Sequence, residues 1–140
     1  MAPFVHDVRV RYGEVDMQGV VFNAHYLAWV DDAMSAWLDA VGYRGASWAP
    51  PDEEQGWDFM VRHATLDWRG SAAFGDHARI ACTVSRWGTT SFDVAFAIGV
   101  GGEVLVDVVL TYVGVRSSPG APPQPAPVPD AFRSLLGPAT

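Results

Sequence analysis

The run Arg11-Tyr12-Gly13-Glu14-Val15-Asp16-Met17-Gln18-Gly19-Val20-Val21-Phe22-Asn23-Ala24-His25-Tyr26-Leu27-Ala28-Trp29 joins a short extended segment to a long apolar helical pattern. The joint is a Gly-containing turn that carries the carboxylate of Asp16. A helix start offers unpaired N–H groups and the positive end of the dipole, which suit a developing oxyanion. A carboxylate held beside them has the parts for acyl-transfer chemistry. It is also an ordinary turn former, because Asp readily hydrogen-bonds its own backbone in loops. The rest of the chain has to decide between a site and a cap.

Downstream of the turn the period is helical. Phe22, Tyr26, Trp29, Val30, Ala33, Met34, Trp37, Leu38 and Val41 share one stripe, about five turns long. Asp31, Asp32, Ser35 and Asp39 fall mainly off it, and Gly42 is placed to end the helix. A stripe this wide and aromatic suits a helix packed on the face of a sheet. Upstream, residues 4–11 alternate in the manner of a half-buried strand, and residues 12–20, with Gly13 and Gly19, read as a loop.

Beyond the helix, residues 43–56 hold Gly45, Pro50-Pro51 and Asp52-Glu53-Glu54 and read as an irregular connection. Residues 57–69 are rich in β-formers, 70–75 form a loop, and 77–86 and 89–100 alternate on either side of Trp87-Gly88. Gly101-Gly102 signals a hairpin into a last long strand over 103–115. After Arg116 the chain is too proline-heavy for a strand, until Asp130 is expected to cap a short helix bearing Phe132, Leu135 and Leu136. The fold class expected is α+β, one long helix against one antiparallel sheet, with residues 1–116 as the domain and 117–140 as a tail. One helix covers one face only. Trp57, Phe59, Trp68, Trp87 and Phe92 are therefore expected to leave apolar surface elsewhere, which favours an oligomer.

The composition restricts the function classes. With 140 residues, 49% hydrophobic and 18% charged, one globular domain is expected. No apolar run approaches the roughly 18 residues of a membrane span, and the N-terminus lacks the pattern of a signal peptide, so a cytoplasmic location is expected. Cys82 is the single cysteine, which excludes an internal disulfide and a Cys-cluster metal site. The formal net charge is -7 and all 9 basic side chains are Arg, so the footprint of a nucleic-acid binder is missing. A few local arginines can still bind the phosphates of a small molecule.

The pattern Arg11-Tyr12-x-x-x-Asp16-x-x-Gly19-Val20-Val21-Phe22-x-x-x-Tyr26-Leu27 resembles the signature of the hotdog-fold thioesterases, the 4-hydroxybenzoyl-CoA thioesterase and YbgC-like group. Phe59-Met60-Val61-Arg62 and Arg86-Trp87-Gly88-Thr89-Thr90-Ser91 resemble later segments of that group, so the likeness covers residues 5–115. It implies a five-stranded antiparallel sheet wrapped around one helix, in homodimers joined sheet edge to sheet edge and often in homotetramers. It implies hydrolysis of an acyl-CoA or aryl-CoA thioester, or of an acyl-carrier-protein thioester, with no cofactor beyond the CoA of the substrate and no metal.

By the same resemblance Asp16 takes the place of the catalytic carboxylate, as nucleophile or general base. Gly19 allows the tight loop, and Asn23 falls where a backbone N–H at the helix start binds the carbonyl oxygen. Tyr26, His25, Asp31, Arg62 and Thr90 are the candidate substrate contacts, with Arg62, Arg86 and Arg116 as candidates for the CoA phosphates. Asn23 replaces the His common in YbgC-like members, which removes any mechanism that needs an imidazole there. The order Asp16, Asn23, His25 is also similar to the acyl-carrier-protein thioesterases of plants, which would give His25 a catalytic role. A hotdog dehydratase uses an Asp/His or His/Glu pair, and Val21 stands where the second group would be. A non-catalytic acyl-CoA-binding module has no need of a carboxylate aimed at a carbonyl.

Overall fold

The computed structural model describes residues 2–43, 45 and 56–140. In chain order these form strand β1 (Phe4–Arg9), a 3-10 turn (Tyr12–Glu14), helix α1 (Asn23–Val41), and strands β2 (Trp57–Trp68) and β3 (His77–Trp87). Strands β4 (Ser91–Val100), β5 (Glu103–Ser118) and β6 (Ala121–Pro125) and helix α2 (Asp130–Leu136) follow. The strands are paired antiparallel in the order β1-β3-β4-β5-β2, and β6 adds to β5. This is the expected α+β architecture, with a sixth short strand.

The period-2 pattern places every second residue of the three central strands against α1. Ala78, Ile80, Cys82 and Val84 of β3, Phe92, Val94, Phe96 and Ile98 of β4, and Val106, Val108, Leu110 and Tyr112 of β5 are all buried. Across from them α1 contributes Tyr26, Trp29, Val30, Ala33, Met34 and Trp37. Burial of each large side chain in this layer contributes about 1.5–3 kcal/mol, which makes the helix–sheet interface the main source of stability. Cys82 is core, and burial pushes its thiol up to about 12.

Four expectations change. Residues 117–140 are part of the domain: β6 pairs Val115 with Pro125 and Arg116 with Gln124, taking over the edge of β5 that β4 leaves at Ser91↔Val113. Prolines are tolerated there because an edge strand need not donate on its outer side. Gly114 makes the closure possible, since a Cβ at that position would lie 2.6 Å from Trp57 Nε1 and 2.7 Å from the Ala126 carbonyl oxygen. Second, Pro129, not Asp130, is the cap of α2, and no side chain bonds the helix start; Asp130 is its first residue. Third, the aromatic side chains expected on the free face are largely interior. Trp57 and Phe92 are buried and Phe59 and Trp87 half-buried, all ringed around the fully buried Phe132 of α2. Only Trp68 is exposed, along with Met60 and Val61 on the outer strand β2. Fourth, Phe22 precedes the helix and is exposed rather than part of the buried stripe. Most of the irregular connection over 43–56, Trp48 included, lies outside the described residues.

Candidate active site

The site is built where the chain leaves β1, turns, and enters α1. Isolated bridges Val15↔Val21 and Val20↔Ala73 close the residues between them into a small hairpin docked on the 70–75 loop. Inside it the Asp16 N–H donates to the Val20 carbonyl (2.9 Å) and the Asp16 carbonyl accepts the Gly19 N–H (3.0 Å). One carboxylate oxygen of Asp16 accepts the Gln18 N–H at 2.8 Å, which orients the side chain. Gly19 has φ 82°, a left-handed conformation that costs other residues strain, so the tight loop needs glycine there. Asp16 is half-buried.

The hairpin is fastened to the start of α1. The Phe22 N–H donates to the Glu14 carbonyl at 2.9 Å, and the Val21 N–H to the Ala72 carbonyl at 2.9 Å. Phe22 is the cap residue, in extended conformation, and makes no side-chain cap bond. The Asn23 N–H has no partner among the described residues. A helix start without a side-chain cap, its Asn23 amide unused and its His25 N–H donating to the Phe22 carbonyl at 3.0 Å, therefore follows the Asp16 hairpin directly in the chain. The C-terminal end of α1 is closed, by Gly42 in the left-handed region and by the Tyr43 N–H donating to the Leu38 carbonyl at 3.0 Å.

The remaining sequence-derived candidates scatter. Tyr26 is fully buried, and its hydroxyl accepts the Ala72 N–H at 2.9 Å, so it supports the 70–75 loop from beneath rather than meeting a substrate. His25 is half-buried, with its ring edge-on to Phe22 at 6.3 Å. It faces a groove of about 870 Å³ between β1, the 3-10 turn and α1, shared with His6, Trp29 and Asp32, and Asp16 does not line that groove. Asp31 is exposed on the outer side of α1. Arg62 is the extra residue of a bulge in β2, where the register to β5 shifts between Val61 and His63, and it points into solvent. Thr90 is half-buried in the turn before β4 and gives its carbonyl to the Gly114 N–H at 2.7 Å. Arg86 is committed to Asp93 (2.8 and 3.1 Å) and Ser91, and Arg116 also has partners. The structure thus places Asp16 and Gly19 in one hairpin fastened just before the start of α1, and leaves the rest apart.

Glu14 was not among the candidates. It is the one buried charged side chain among the described residues. Its carboxylate accepts the Trp29 indole N–H (2.7 Å), the Arg11 backbone N–H (2.8 Å) and the Arg11 guanidinium (3.1 Å). Burial pushes this carboxyl up, but the bonds from Arg11 and Trp29 outweigh it and hold the group at about 2, against 4.5 for a free Glu. Its signal was faint, since Trp29 reads as one more member of the apolar stripe.

Around Asp16, Tyr12, Met17, Phe22 and Phe74 are exposed apolar side chains, with Tyr12 and Phe74 edge-on at 6.1 Å. Among the described residues no group of three His, Cys, Asp or Glu side chains could hold a metal ion.

Comparison with known proteins agrees with this architecture. A 1,4-dihydroxy-2-naphthoyl-CoA hydrolase of Synechococcus sp. (strain RCC307) is 27% identical over 95 residues, 67% of this chain and 72% of that one. Among solved structures, a gentisyl-coenzyme A thioesterase superposes with a TM-score of 0.77 at 23% identity, over 96% of this chain and 100% of that one. A 4-hydroxybenzoyl-CoA thioesterase variant in complex with 4-hydroxybenzoyl-CoA gives 0.82 at 16% identity, over 98% and 100% of the two chains. These likenesses give the hotdog fold. The family model of the thioesterase-like superfamily matches residues 10–136, and the chain belongs to that superfamily.

Proposed function

We propose that this protein hydrolyses an acyl-CoA thioester, and an aryl-CoA one in particular. The observation that carries the reading is a helix start with no side-chain cap and a free Asn23 amide, entered directly from a hairpin that holds a half-buried carboxylate. The thioester carbonyl oxygen binds the amides at the start of α1, Asn23 first, where negative charge develops as the carbonyl carbon is attacked. Asp16 supplies the other half, by one of two routes. As general base it takes a proton from water while the water oxygen bonds to the carbonyl carbon; the tetrahedral oxyanion then collapses, the C–S bond breaks, and the CoA thiolate takes up the proton. As nucleophile it forms a mixed anhydride with loss of CoA thiolate, and water then cleaves the anhydride. Either way the products are a carboxylic acid and free CoA. The names of three relatives, hydrolases of aryl-CoA thioesters, support an aromatic acyl group.

The exposed apolar side chains around Asp16 and along β2 support a homodimer or homotetramer with the acyl group held between subunits. The exposed Arg62 is an available contact for the CoA phosphates, whereas Arg86 is already paired. No helix of the described residues is long and apolar enough to cross a membrane.

The test is thiol release over a panel of aryl-CoA and aliphatic acyl-CoA thioesters, for the wild type and Asp16→Asn. The variant is expected to lose about 10²-fold or more in kcat, the size of effect for removing a general base or nucleophile, with an unchanged melting temperature. Undiminished turnover in the variant would sink the assignment. Binding of CoA thioesters without thiol release by the wild type would make the protein a sensor rather than an enzyme.

A further inference from the structure

We propose that Glu14 is a positioning residue for this reaction, holding the Asp16 loop in register with the amides of α1 through its bond to Trp29. The inference rests on the reading of Asp16 given above and adds what keeps the two halves of the site together. Two elements must be held at a fixed separation: a carboxylate on a loop and an amide on a helix. A displacement of about 1 Å at a reacting centre can cost on the order of 10²-fold, so the connection between them matters as much as their identity.

Glu14 provides that connection twice. Its carbonyl takes the Phe22 N–H, the last amide before Asn23. Its side chain takes the Trp29 indole N–H at 2.7 Å, on the second turn of α1. One residue later, the Val15↔Val21 bridge begins the hairpin that carries Asp16. The 3-10 turn ending at Glu14 is locked from the other side by the Arg11 N–H and guanidinium on the same carboxylate. Asp16 and Asn23 are thus two residues and nine residues from one clamped point. An ion pair whose arginine stands in solvent is a poor way to gain stability. It is directional, however, and an apolar contact at this place would let the turn slide on the helix. Trp29 is itself fixed, buried and edge-on to Tyr26 at 5.2 Å, and Tyr26 holds the 70–75 loop on which the hairpin rests.

The test is a set of steady-state measurements on the full-length protein with a hydrolysed aryl-CoA thioester: Glu14→Gln, Trp29→Phe, Arg11→Met, Asp16→Asn and the Asp16→Asn doubles with the first two. Glu14→Gln keeps the volume and loses the charge, and Trp29→Phe removes the donor from the opposite side. Both are expected to lower kcat by roughly 10- to 100-fold with KM within about twofold, the pattern of an interaction realised in the transition state. Arg11→Met, at an exposed position, is expected to lower it by severalfold only. In the Asp16→Asn background the same two changes are expected to leave the residual rate unaltered, because they act through Asp16. A purely structural role would instead leave kcat intact in the folded protein, or cut the Asp16→Asn residual rate by the same factor as the wild-type rate; either overturns the proposal. If Glu14→Gln does not fold, Trp29→Phe and Arg11→Met carry the same comparison. An active Asp16→Asn variant would remove the underlying reading, whereas an inactive one beside unimpaired Glu14→Gln and Trp29→Phe would remove only the role of Glu14.

Discussion

The two ends of α1 are built on opposite principles. At the C-terminal end Gly42 closes the helix, and Tyr43, Trp57, Phe59, Phe92 and Phe132 pack into an aromatic cluster with centroid separations of 4.9–6.5 Å among the neighbouring pairs. At the N-terminal end the helix is uncapped, aromatic side chains stand in solvent, and one carboxylate is buried with three donors. The first end stabilises the fold, and its cap satisfies the Leu38 and Asp39 carbonyls. The second leaves the Asn23 amide without a partner among the described residues and exposes apolar surface, both of which cost stability.

The largest effect expected from this contrast is at the closed end. Phe132→Ala empties the centre of the aromatic cluster, and a fully buried Phe replaced by Ala typically costs about 3–5 kcal/mol. Chemical denaturation should show that loss, while kcat of the folded fraction stays near the wild-type value because no site element is touched. A fall in kcat without loss of stability would show that the two ends are coupled.

At the open end the matching change is Asn23→Pro. Asn23 is the first helical residue, where proline is accepted, and Phe22 before it has φ -65° and ψ 139°, as a residue preceding proline requires. The substitution removes one N–H and little else. Stability should stay within about 0.5 kcal/mol, as for other substitutions clear of core features. The rate should fall by about 10²–10³-fold, the cost of losing one oxyanion donor. An unaffected rate would move the carbonyl oxygen away from this amide.

How far the sequence could be read follows the same division. The helix boundaries at Asn23 and Val41 were legible because the apolar period begins and stops there and Gly42 marks the stop. The strands from 57 to 115 were legible from alternation. Strand β6 was not, because its three prolines carry a strong local signal against pairing, and only the free edge of β5 overrides it. Asp16 and Gly19 could be found by motif. Glu14 could not, since an acid beside Arg11 in a turn looks solvated, and its burial depends on where Trp29 arrives from fifteen residues further on. Tyr26 shows the converse: its place in the motif suggested a substrate contact, and its side chain points into the core to hold the Ala72 amide.

The buried carboxylate also gives the open end a pH signature. Glu14 sits near 2 when folded and near 4.5 when free, so the unfolded chain binds the proton more tightly. Its contribution is present above about pH 4.5 and is lost as pH falls through the folded value near 2. Denaturation midpoints followed from pH 7 to pH 2 should fall more steeply for the wild type than for Glu14→Gln, which has no proton to gain. Parallel acid limbs would mean that other carboxylates dominate.

The smallest effect expected is the one that isolates backbone from side chain at the helix start. The Asn23 side chain is exposed and makes no capping bond, so Asn23→Ala removes neither a hydrogen bond nor packing. A helix former at the first helical position keeps the N–H where it is. Both kcat and KM should remain within about twofold, in line with a surface change worth less than 0.5 kcal/mol. Set beside Asn23→Pro at the same position, the comparison is direct: one variant keeps the amide and loses the side chain, the other loses both. If alanine is as damaging as proline, the carboxamide is the group that meets the substrate, and the open end of α1 works through a side chain instead of its unpaired amides.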